Sequence, residues 1–243
     1  MSSNKELNFD DFKKMASDKS LSASEKIGFP DSYRKGFSTK ILNDINLKLP
    51  IYNTTNKVIV DIGCGCDELT FELIEVCKKN NHTLILIDSE EMIQDLPSSD
   101  KIIKMAGKFP FNDDRLKKYV GQIDYILCYS VIFYVFANDN LYDFIHQSVN
   151  LLKANGHLLI GDIPNIDKRD RFLDSEEGKQ FLKNNNQVKG STAHENRDQK
   201  MDDSIVLAIV TRLRRFGCEA YIMPQSADLP MANRREDILV IRR

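Results

Sequence analysis

The stretch Val58-Ile-Val-Asp-Ile-Gly-Cys-Gly-Cys-Asp67 indicates how this chain folds. Its first half is a short continuous apolar run, which is typical of a strand buried on both faces of a parallel sheet. Gly63 and Gly65 then allow a sharp turn and a close approach of the backbone to a ligand, and Asp67 can cap a following helix. The stretch therefore predicts a strand, a glycine turn and a helix that together bind a ligand.

Position 68 decides between classes of ligand. The dinucleotide fingerprint requires a third glycine three residues after Gly65, and this chain has Glu68 there. A carboxylate at a helix N-terminus opposes the binding of a pyrophosphate, which needs bare N–H groups. The turn therefore favours a ligand without phosphates. A nicotinamide dehydrogenase would also need a catalytic Tyr/Lys or His arrangement, and we find none in the sequence.

A second predicted strand, His82–Asp88, ends in an acid 25 residues after Gly63. The carboxyl ends of neighbouring parallel strands meet at one edge of the sheet. Because an ionised carboxylate accepts several hydrogen bonds, Asp88 can hold both hydroxyls of a ribose at that edge. The two strand ends together predict a nucleoside site.

From about Val58 to its end, the chain resembles the class I S-adenosylmethionine-dependent methyltransferases. The resemblance rests on four motifs in the family's order. These are Asp61-Ile-Gly-Cys-Gly65, the acid Asp88, the predicted fourth strand in Gly121–Ser130, and the helix end, turn and fifth strand in Leu151–Ile160.

The resemblance implies S-adenosyl-L-methionine as the cofactor and a set of residues that bind it. The implied cofactor-binding residues are Asp61, Gly63, Gly65, Asp88, Ser89, Met92, Ala106, Gly107, Tyr129 and Ser130. The same comparison implies a small-molecule acceptor. Its implied binding residues are Tyr33, Arg34, Tyr134, Asn165, Arg169, Arg234 and Arg235. No metal ligands are expected.

The expected fold is α/β, with a Rossmann-like, doubly wound and mostly parallel seven-stranded sheet whose last strand is antiparallel. Residues 1–50 are expected to form an N-terminal helical arm or lid, and 51–243 the methyltransferase domain. We predict helices near Phe9–Ser17, near Phe37–Leu47 and over Asn138–Lys153. A long polar insertion, 164–203, is expected after strand five, with little regular structure from 173 onward.

Composition restricts the partners and the compartment. The formal net charge of −2 gives no general attraction to nucleic acid or to an anionic membrane surface. The N-terminus lacks the apolar core of a signal peptide, and no apolar run approaches the ~20 residues needed to span a bilayer. The five cysteines are an odd number in scattered positions, which suits reduced thiols. We therefore expect a cytoplasmic protein; its oligomeric state is not predicted.

Several residues are candidates for the transfer chemistry. The aromatic residues Tyr129, Phe133 and Tyr134 can line a site for a sulfonium cation. The Asn/Asp-Pro-Pro-aromatic tetrad of amino-directed relatives is absent, which favours oxygen as the acceptor atom. Asp162 and His194 are the candidate general bases for a hydroxyl, although Asp162 can instead orient the acceptor.

Two segments overhang the predicted edge of the sheet. The stretches Gly161-Asp-Ile-Pro-Asn165 and Arg234-Arg-Glu-Asp237 resemble a small-molecule subgroup found among bacterial surface-polysaccharide genes. Their arginines match phosphate or carboxylate oxygens, so an anionic sugar or capsule precursor is the expected acceptor. The alternative is a non-catalytic partner protein that binds S-adenosylmethionine or S-adenosylhomocysteine.

Overall fold

The computed structural model describes residues 7–184 and 200–243, which are organised around a seven-stranded sheet. The strands are β1 (Val58–Ile62), β2 (Thr83–Asp88), β3 (Ile102–Ala106), β4 (Ile123–Tyr129), β5 (Leu152–Pro164), β6 (Cys218–Pro224) and β7 (Arg235–Arg242). Their order is β3-β2-β1-β4-β5-β7-β6, and only β7 runs antiparallel to its neighbours. The predicted Rossmann-like sheet with an antiparallel last strand is confirmed.

Helices flank this sheet. They are α1 (Phe9–Ser17), α2 (Ala23–Lys26), α3 (Asp31–Arg34), α4 (Ser38–Lys48), α5 (Glu68–Lys79), α6 (Glu90–Ile93), α7 (Ile132–Asn138), α8 (Leu141–Leu151), α9 (Ile166–Asp174), α10 (Glu176–Asn184) and α11 (Asp203–Arg215). A 3₁₀-helix, Asp114–Tyr119, precedes β4. None of the described helices is long and apolar enough to cross a membrane.

The apolar runs of the central strands are buried on both faces of the sheet. In β2, Ile85 and Ile87 pack into one apolar cluster, while Leu84 and Leu86 pack into the cluster on the opposite face. Successive side chains of a strand point to opposite faces, so a doubly covered strand has no polar face. The strand order reverses between β1 and β4, and ligands of such sheets bind at the carboxyl edge there.

The structure corrects two segment predictions. The helix predicted over 138–153 ends at Leu151 and is preceded by the separate helix α7, because the Asn140 side chain accepts from the Asp143 amide and starts a new helix. The described part of the segment after residue 173 contains the helix α10, where little regular structure is expected. Its polar composition conceals this helix, which packs on α9 through Phe181 and Phe172, whose ring centroids lie 5.7 Å apart.

The N-terminal segment packs against the sheet domain through hydrogen bonds to α5. The Ser38 and Thr39 hydroxyls donate to Glu72 at 2.6 and 3.0 Å, and the Gly36 amide donates to Glu68 at 3.3 Å. Glu68, which replaces a glycine of the dinucleotide fingerprint, thus contacts this segment. The division of the chain into two units at residue 50 stays a prediction.

Candidate active site

A cavity opens at the carboxyl edge of β1, β2 and β4, where the strand order reverses. This central cavity encloses about 1050 Å³ of space, including its open mouth. Eight of the ten predicted cofactor-binding residues line it. They are Asp61, Gly63, Gly65, Asp88, Met92, Gly107, Tyr129 and Ser130.

The other two predicted residues have structural contacts. Ser89 is buried, and its side chain accepts from the Met92 amide at the start of α6. The Ala106 carbonyl accepts from Arg115 Nη1 at 2.6 Å. Both residues adjoin the central cavity without lining it. Their assignment as direct cofactor ligands stays a prediction.

The glycine turn places bare backbone against the cavity. Gly63 and Gly65 have φ values of +71° and +67°, in the left-handed region that favours glycine. A Cβ on Gly63 would lie 2.5 Å from the Val131 side chain, and one on Gly65 would lie 2.8 Å from Ile27. Both glycines are therefore required by conformation and by packing. Asp67 takes the N-cap position of α5 without a side-chain capping bond and lines the cavity instead.

The carboxylate of Asp88 is held by the turn. Its Oδ2 accepts from the Gly65 amide at 3.0 Å, and its Oδ1 accepts from the Ser89 amide at 2.7 Å. Burial raises the pKa of Asp88 to about 6, against the opposite effect of these two bonds. At neutral pH the group is mostly ionised. Each oxygen retains a lone pair, so Asp88 can also accept from two hydroxyls in the cavity.

Three carboxyls, of which Asp61 and Asp67 are buried and Asp88 is partly buried, make this part of the cavity acidic. Burial raises the pKa of Asp61 to about 8, and the charges of Asp88 and Asp67 raise it further. Burial also raises the pKa of Asp67, against the effect of the Arg34 charge. Like charges enclosed at close range disfavour ionisation, and a bound cation would relieve the repulsion. The cavity is thus electrostatically suited to a positively charged ligand.

Residues of the N-terminal segment cover the cavity. Arg34 was predicted to contact ligand, and it is buried in the cavity wall. Four apolar residues that the sequence pattern did not single out line the cavity with Arg34, namely Phe9, Phe12, Ile27 and Phe29. The available signal in the sequence was the three-residue spacing of Phe9 and Phe12 in a helix with polar neighbours. Predicted Tyr134 also lines the cavity; its ring centroid lies 4.8 Å from that of Phe12.

Asp162 lies beside this cavity, in a network of polar side chains. Its Oδ2 accepts from Ser130 Oγ at 2.5 Å, and Ser130 Oγ in turn accepts from Arg34 Nη2 at 2.6 Å. Asp162 and Ser130 have φ values of +58° and +62°, which are uncommon for residues with a side chain. Such strained conformations cluster at functional sites, where surrounding contacts hold them in place.

Contacts behind Asp162 continue the network to α4. The Asp162 amide donates to Asp237 Oδ1 at 2.8 Å, and Gln225 Nε2 donates to the same oxygen at 3.1 Å. Lys48 Nζ lies 2.7 Å from Asp237 Oδ2 and 2.5 Å from Asp44 Oδ2, with all three side chains buried. Burial raises the pKa of Asp237 to about 6, against the effect of the Lys48 charge.

The segments 161–165 and 234–237 pack against each other. Arg235 Nη1 donates to the Asp162 carbonyl at 2.9 Å and to its carboxylate at 3.2 Å. Asn165 Nδ2 donates to Glu236 at 2.7 Å, and the Asn165 side chain also caps α9. Asn165 is almost fully buried and held by these contacts, and its assignment to the acceptor site stays a prediction.

A second depression, the basic groove, has Arg235 in its wall. It is lined by Phe133, Pro164, Asn165, Ile166, Arg169, Lys200, Met201, Arg234 and Arg235. Burial lowers the pKa of Arg234, and the charges of Arg235 and Arg169 lower it further. The predicted residues Arg169, Arg234 and Arg235 are thus brought together. Tyr33 lines a smaller cavity with Asp162 and Gln225, and His194 lies outside the described residues.

Comparison with known proteins supports the fold. No protein-family model matches the sequence, and no curated protein sequence matches it. A solved structure of the plantazolicin methyltransferase BpumL in complex with SAH (S-adenosylhomocysteine) is similar, at 17% identity and a TM-score of 0.58 over 96% of this chain and 95% of that chain.

Two further solved structures share the architecture. The CurJ carbon methyltransferase is 15% identical with a TM-score of 0.55, over 91% of this chain and 61% of that chain. The methyltransferase domain of bacterial CtHen1-C is 14% identical with a TM-score of 0.51, over 87% of this chain and 98% of that chain. At these identities the similarity shows a shared fold.

Proposed function

We propose that this chain is an S-adenosylmethionine-dependent methyltransferase. The observation that carries the proposal is the central cavity, where the Gly63–Gly65 turn and Asp88 meet the buried carboxyls of Asp61 and Asp67. S-adenosylmethionine combines a ribose diol with a sulfonium and an ammonium cation, and it has no phosphate. Each of these features has a matching group in the cavity.

In this proposal, different residues of the cavity bind different parts of the cofactor. Asp88 accepts from the ribose hydroxyls, and Met92 and Gly107, which also line the cavity, are the proposed contacts of the adenine. The carboxylates of Asp61 and Asp67 compensate the ammonium charge. A pyrophosphate would meet the same carboxylates unfavourably, so the cavity disfavours nicotinamide dinucleotides.

When bound, S-adenosylmethionine supplies a methyl group already activated by a positively charged sulfur. The role of the protein is then to align the acceptor, exclude water and receive a proton. Tyr129 and Tyr134 lie in the cavity wall, where aromatic faces stabilise a cation by about 0.5–2 kcal/mol. The cover formed by Phe9, Phe12 and Phe29 provides an apolar barrier to solvent.

Asp162 acts as a positioning residue in this scheme. Its Oδ2 already accepts from Ser130 and Arg235 and lies 4.0 Å from Arg34 Nη2. These groups of the chain already occupy the Asp162 carboxylate and hold it in one orientation. We therefore favour orientation of the acceptor over proton removal for Asp162. A basic role for His194 stays a prediction.

The proposed acceptor is a small molecule methylated on a hydroxyl oxygen, with a sugar or a capsule or surface-polysaccharide precursor as the candidate class. This narrower choice rests on the resemblance of the two motifs that contain Asp162 and Arg235. In this transfer the C–S bond of the methyl group breaks as an O–C bond forms, the electron pair stays on sulfur as the neutral thioether, and the hydroxyl proton leaves to solvent or a base.

The test is a transfer assay with S-adenosylmethionine that carries a radiolabelled methyl group. Purified protein is incubated with a panel of sugars, sugar phosphates and nucleotide sugars, and label in the acceptor is counted. An enzyme labels at least one acceptor with matching production of S-adenosylhomocysteine. Binding of S-adenosylmethionine without labelling of any acceptor in a broad metabolite panel would favour the non-catalytic alternative.

A further inference from the structure

A stack of rings and guanidinium groups separates the central cavity from the basic groove. The Arg34 guanidinium carbon lies 4.3 Å from the Phe29 ring centroid and 5.5 Å from that of Tyr129. The Arg235 carbon lies 5.7 Å from the Phe29 centroid and 5.6 Å from that of Phe133. Phe29 therefore has an arginine on the cofactor side and another on the groove side.

Both arginines of the stack have an unused donor. Arg34 Nε and Arg235 Nε are shielded from solvent and have no hydrogen-bond partner among the described residues. The two guanidinium groups share a single carboxylate, since Arg34 Nη2 lies 4.0 Å and Arg235 Nη1 3.2 Å from Asp162 Oδ2. A buried donor without a partner is destabilising. The pair therefore has unused capacity to bind an oxyanion.

Further positive charge faces the groove. Arg234 contacts the Asn233 side chain and lies 5.5 Å from the Phe181 ring centroid, and it forms no ion pair with the described residues. Arg169 forms an ion pair with Asp170 at 3.0 Å. Asp237, the other acid next to Asp162, is paired with Lys48 away from the groove. Arg234 and Arg235 therefore bring two neighbouring guanidinium groups to the wall of the groove.

We propose that the basic groove binds an oxyanionic group of the methyl acceptor, a phosphate or a carboxylate, with Arg235 as its direct ligand. Arg234 adds charge at the entrance. The guanidinium of Arg235 is fixed at Nη1 by Asp162, which leaves the side that carries Nε for the anion. A planar fork anchored at one end loses little freedom on binding phosphate or carboxylate.

The position of Arg235 links this subsite to the methyl group. Phe29 contacts Arg235 and also lines the central cavity, so an acceptor anchored at Arg235 lies beside the wall of the cofactor site. The inference rests on the proposed function, because the anion becomes an acceptor group only if the central cavity binds the methyl donor.

The test is a nuclear magnetic resonance titration of the full chain saturated with S-adenosylhomocysteine. Inorganic phosphate is added in one series, sodium acetate in a second and sodium chloride in a third at matched ionic strength. Arginine Nε–H signals, assigned through the variants, report contact with the guanidinium groups. We expect the Arg235 signal to shift and saturate with phosphate or acetate, and to respond little to chloride.

Two variants and a matched control complete the test. Arg235→Gln should weaken binding of the effective anion at least tenfold, and Arg234→Gln, which breaks no ion pair, about threefold. Arg212→Gln, which removes an exposed arginine of α11 from its contact with Tyr142, should leave the anion affinity unchanged. The S-adenosylhomocysteine affinity of all three should match that of the wild type within about twofold.

The outcomes separate this inference from the proposed function. An Arg235 signal that responds equally to chloride, or anion affinity unchanged in both groove variants, would overturn the anion subsite even if S-adenosylhomocysteine binds. Failure of S-adenosylhomocysteine to bind, with a saturable phosphate response at Arg235, would instead overturn the proposed function and leave an anion site without its methyl donor. A response to phosphate alone or to acetate alone would identify the acceptor's charged group.

Discussion

The backbone amide of Gly65 donates a 3.0 Å hydrogen bond to the carboxylate of Asp88, so the glycine turn after β1 and the acid that ends β2 form one unit. The bond joins two features that lie 23 residues apart in the sequence. It fixes the Asp88 carboxylate at the wall of the central cavity, where the proposal requires it to accept from a ribose.

Replacement of Asp88 by alanine should weaken S-adenosylhomocysteine binding by about 1.5–3 kcal/mol, because two ribose hydroxyls lose a charged acceptor. The same change leaves the Gly65 and Ser89 amides without acceptors and should lower the free energy of unfolding by about 1–3 kcal/mol. Calorimetry and urea unfolding measure the two effects. Asp113→Ala, an exposed control, should retain wild-type affinity, and equal affinity in Asp88→Ala would exclude the proposed ribose contact.

The acidic wall predicts that cofactor binding depends on pH. The pKa of Asp61 is about 8 without ligand, so the group is mostly protonated at neutral pH. A bound ammonium favours the ionised form, so binding should release protons and strengthen as the pH rises toward 8. Calorimetry in buffers of different ionisation enthalpy measures the release. Asp61→Asn should remove most of it, and an undiminished release in this variant would assign the protons to another group.

Asp61 also predicts a pH dependence of stability in the ligand-free protein. Its pKa is raised on folding, from an ordinary value of 3.8 to about 8, so the folded state holds the proton more tightly. The stabilisation is complete below pH 3.8 and is lost progressively as the pH rises to about 8. The difference in unfolding free energy between wild type and Asp61→Asn should therefore change steadily across this range. A constant difference would contradict the burial of the acid.

The network behind the active site predicts a large loss of stability on removal of Lys48. Lys48→Ala leaves the buried carboxylates of Asp44 and Asp237 without their shared cation, which should cost about 3–5 kcal/mol. Lys40→Ala breaks an exposed pair with Asp228 and should cost less than about 1 kcal/mol. Urea unfolding measures the loss of unfolding free energy in each variant. Similar losses in the two variants would show that Lys48 is not the structural link assigned to it.

The variant Asp162→Asn distinguishes between two roles of Asp162, positioning of the acceptor and removal of its proton. We expect turnover to fall about tenfold or more with unchanged S-adenosylhomocysteine affinity, since Asn alters the bonds to Ser130 and Arg235. The variant should keep the wild-type shape of the pH–rate profile, measured with an acceptor found in the transfer assay. Loss of the profile's acidic limb would instead identify Asp162 as the general base.

The sequence was sufficient for the central strands because their order and burial follow from local patterns. The apolar run Val58–Ile62, the glycine turn and the acid at position 88 each carry their own signal. The cover over the cavity was mostly missed, since Phe12 and Phe29 are ordinary apolar residues whose role comes from contacts distant in sequence. The polar composition around Ile166 and Leu173 likewise concealed α9, whose cap and two buried residues determine it.

Calorimetric titration of the wild-type chain with S-adenosylhomocysteine and, separately, with NADH measures which ligand the central cavity binds. The acidic cavity and the bond between Gly65 and Asp88 predict saturable 1:1 binding of S-adenosylhomocysteine in the low-micromolar range or tighter, with no measurable binding of NADH. Tighter binding of NADH than of S-adenosylhomocysteine would contradict the account.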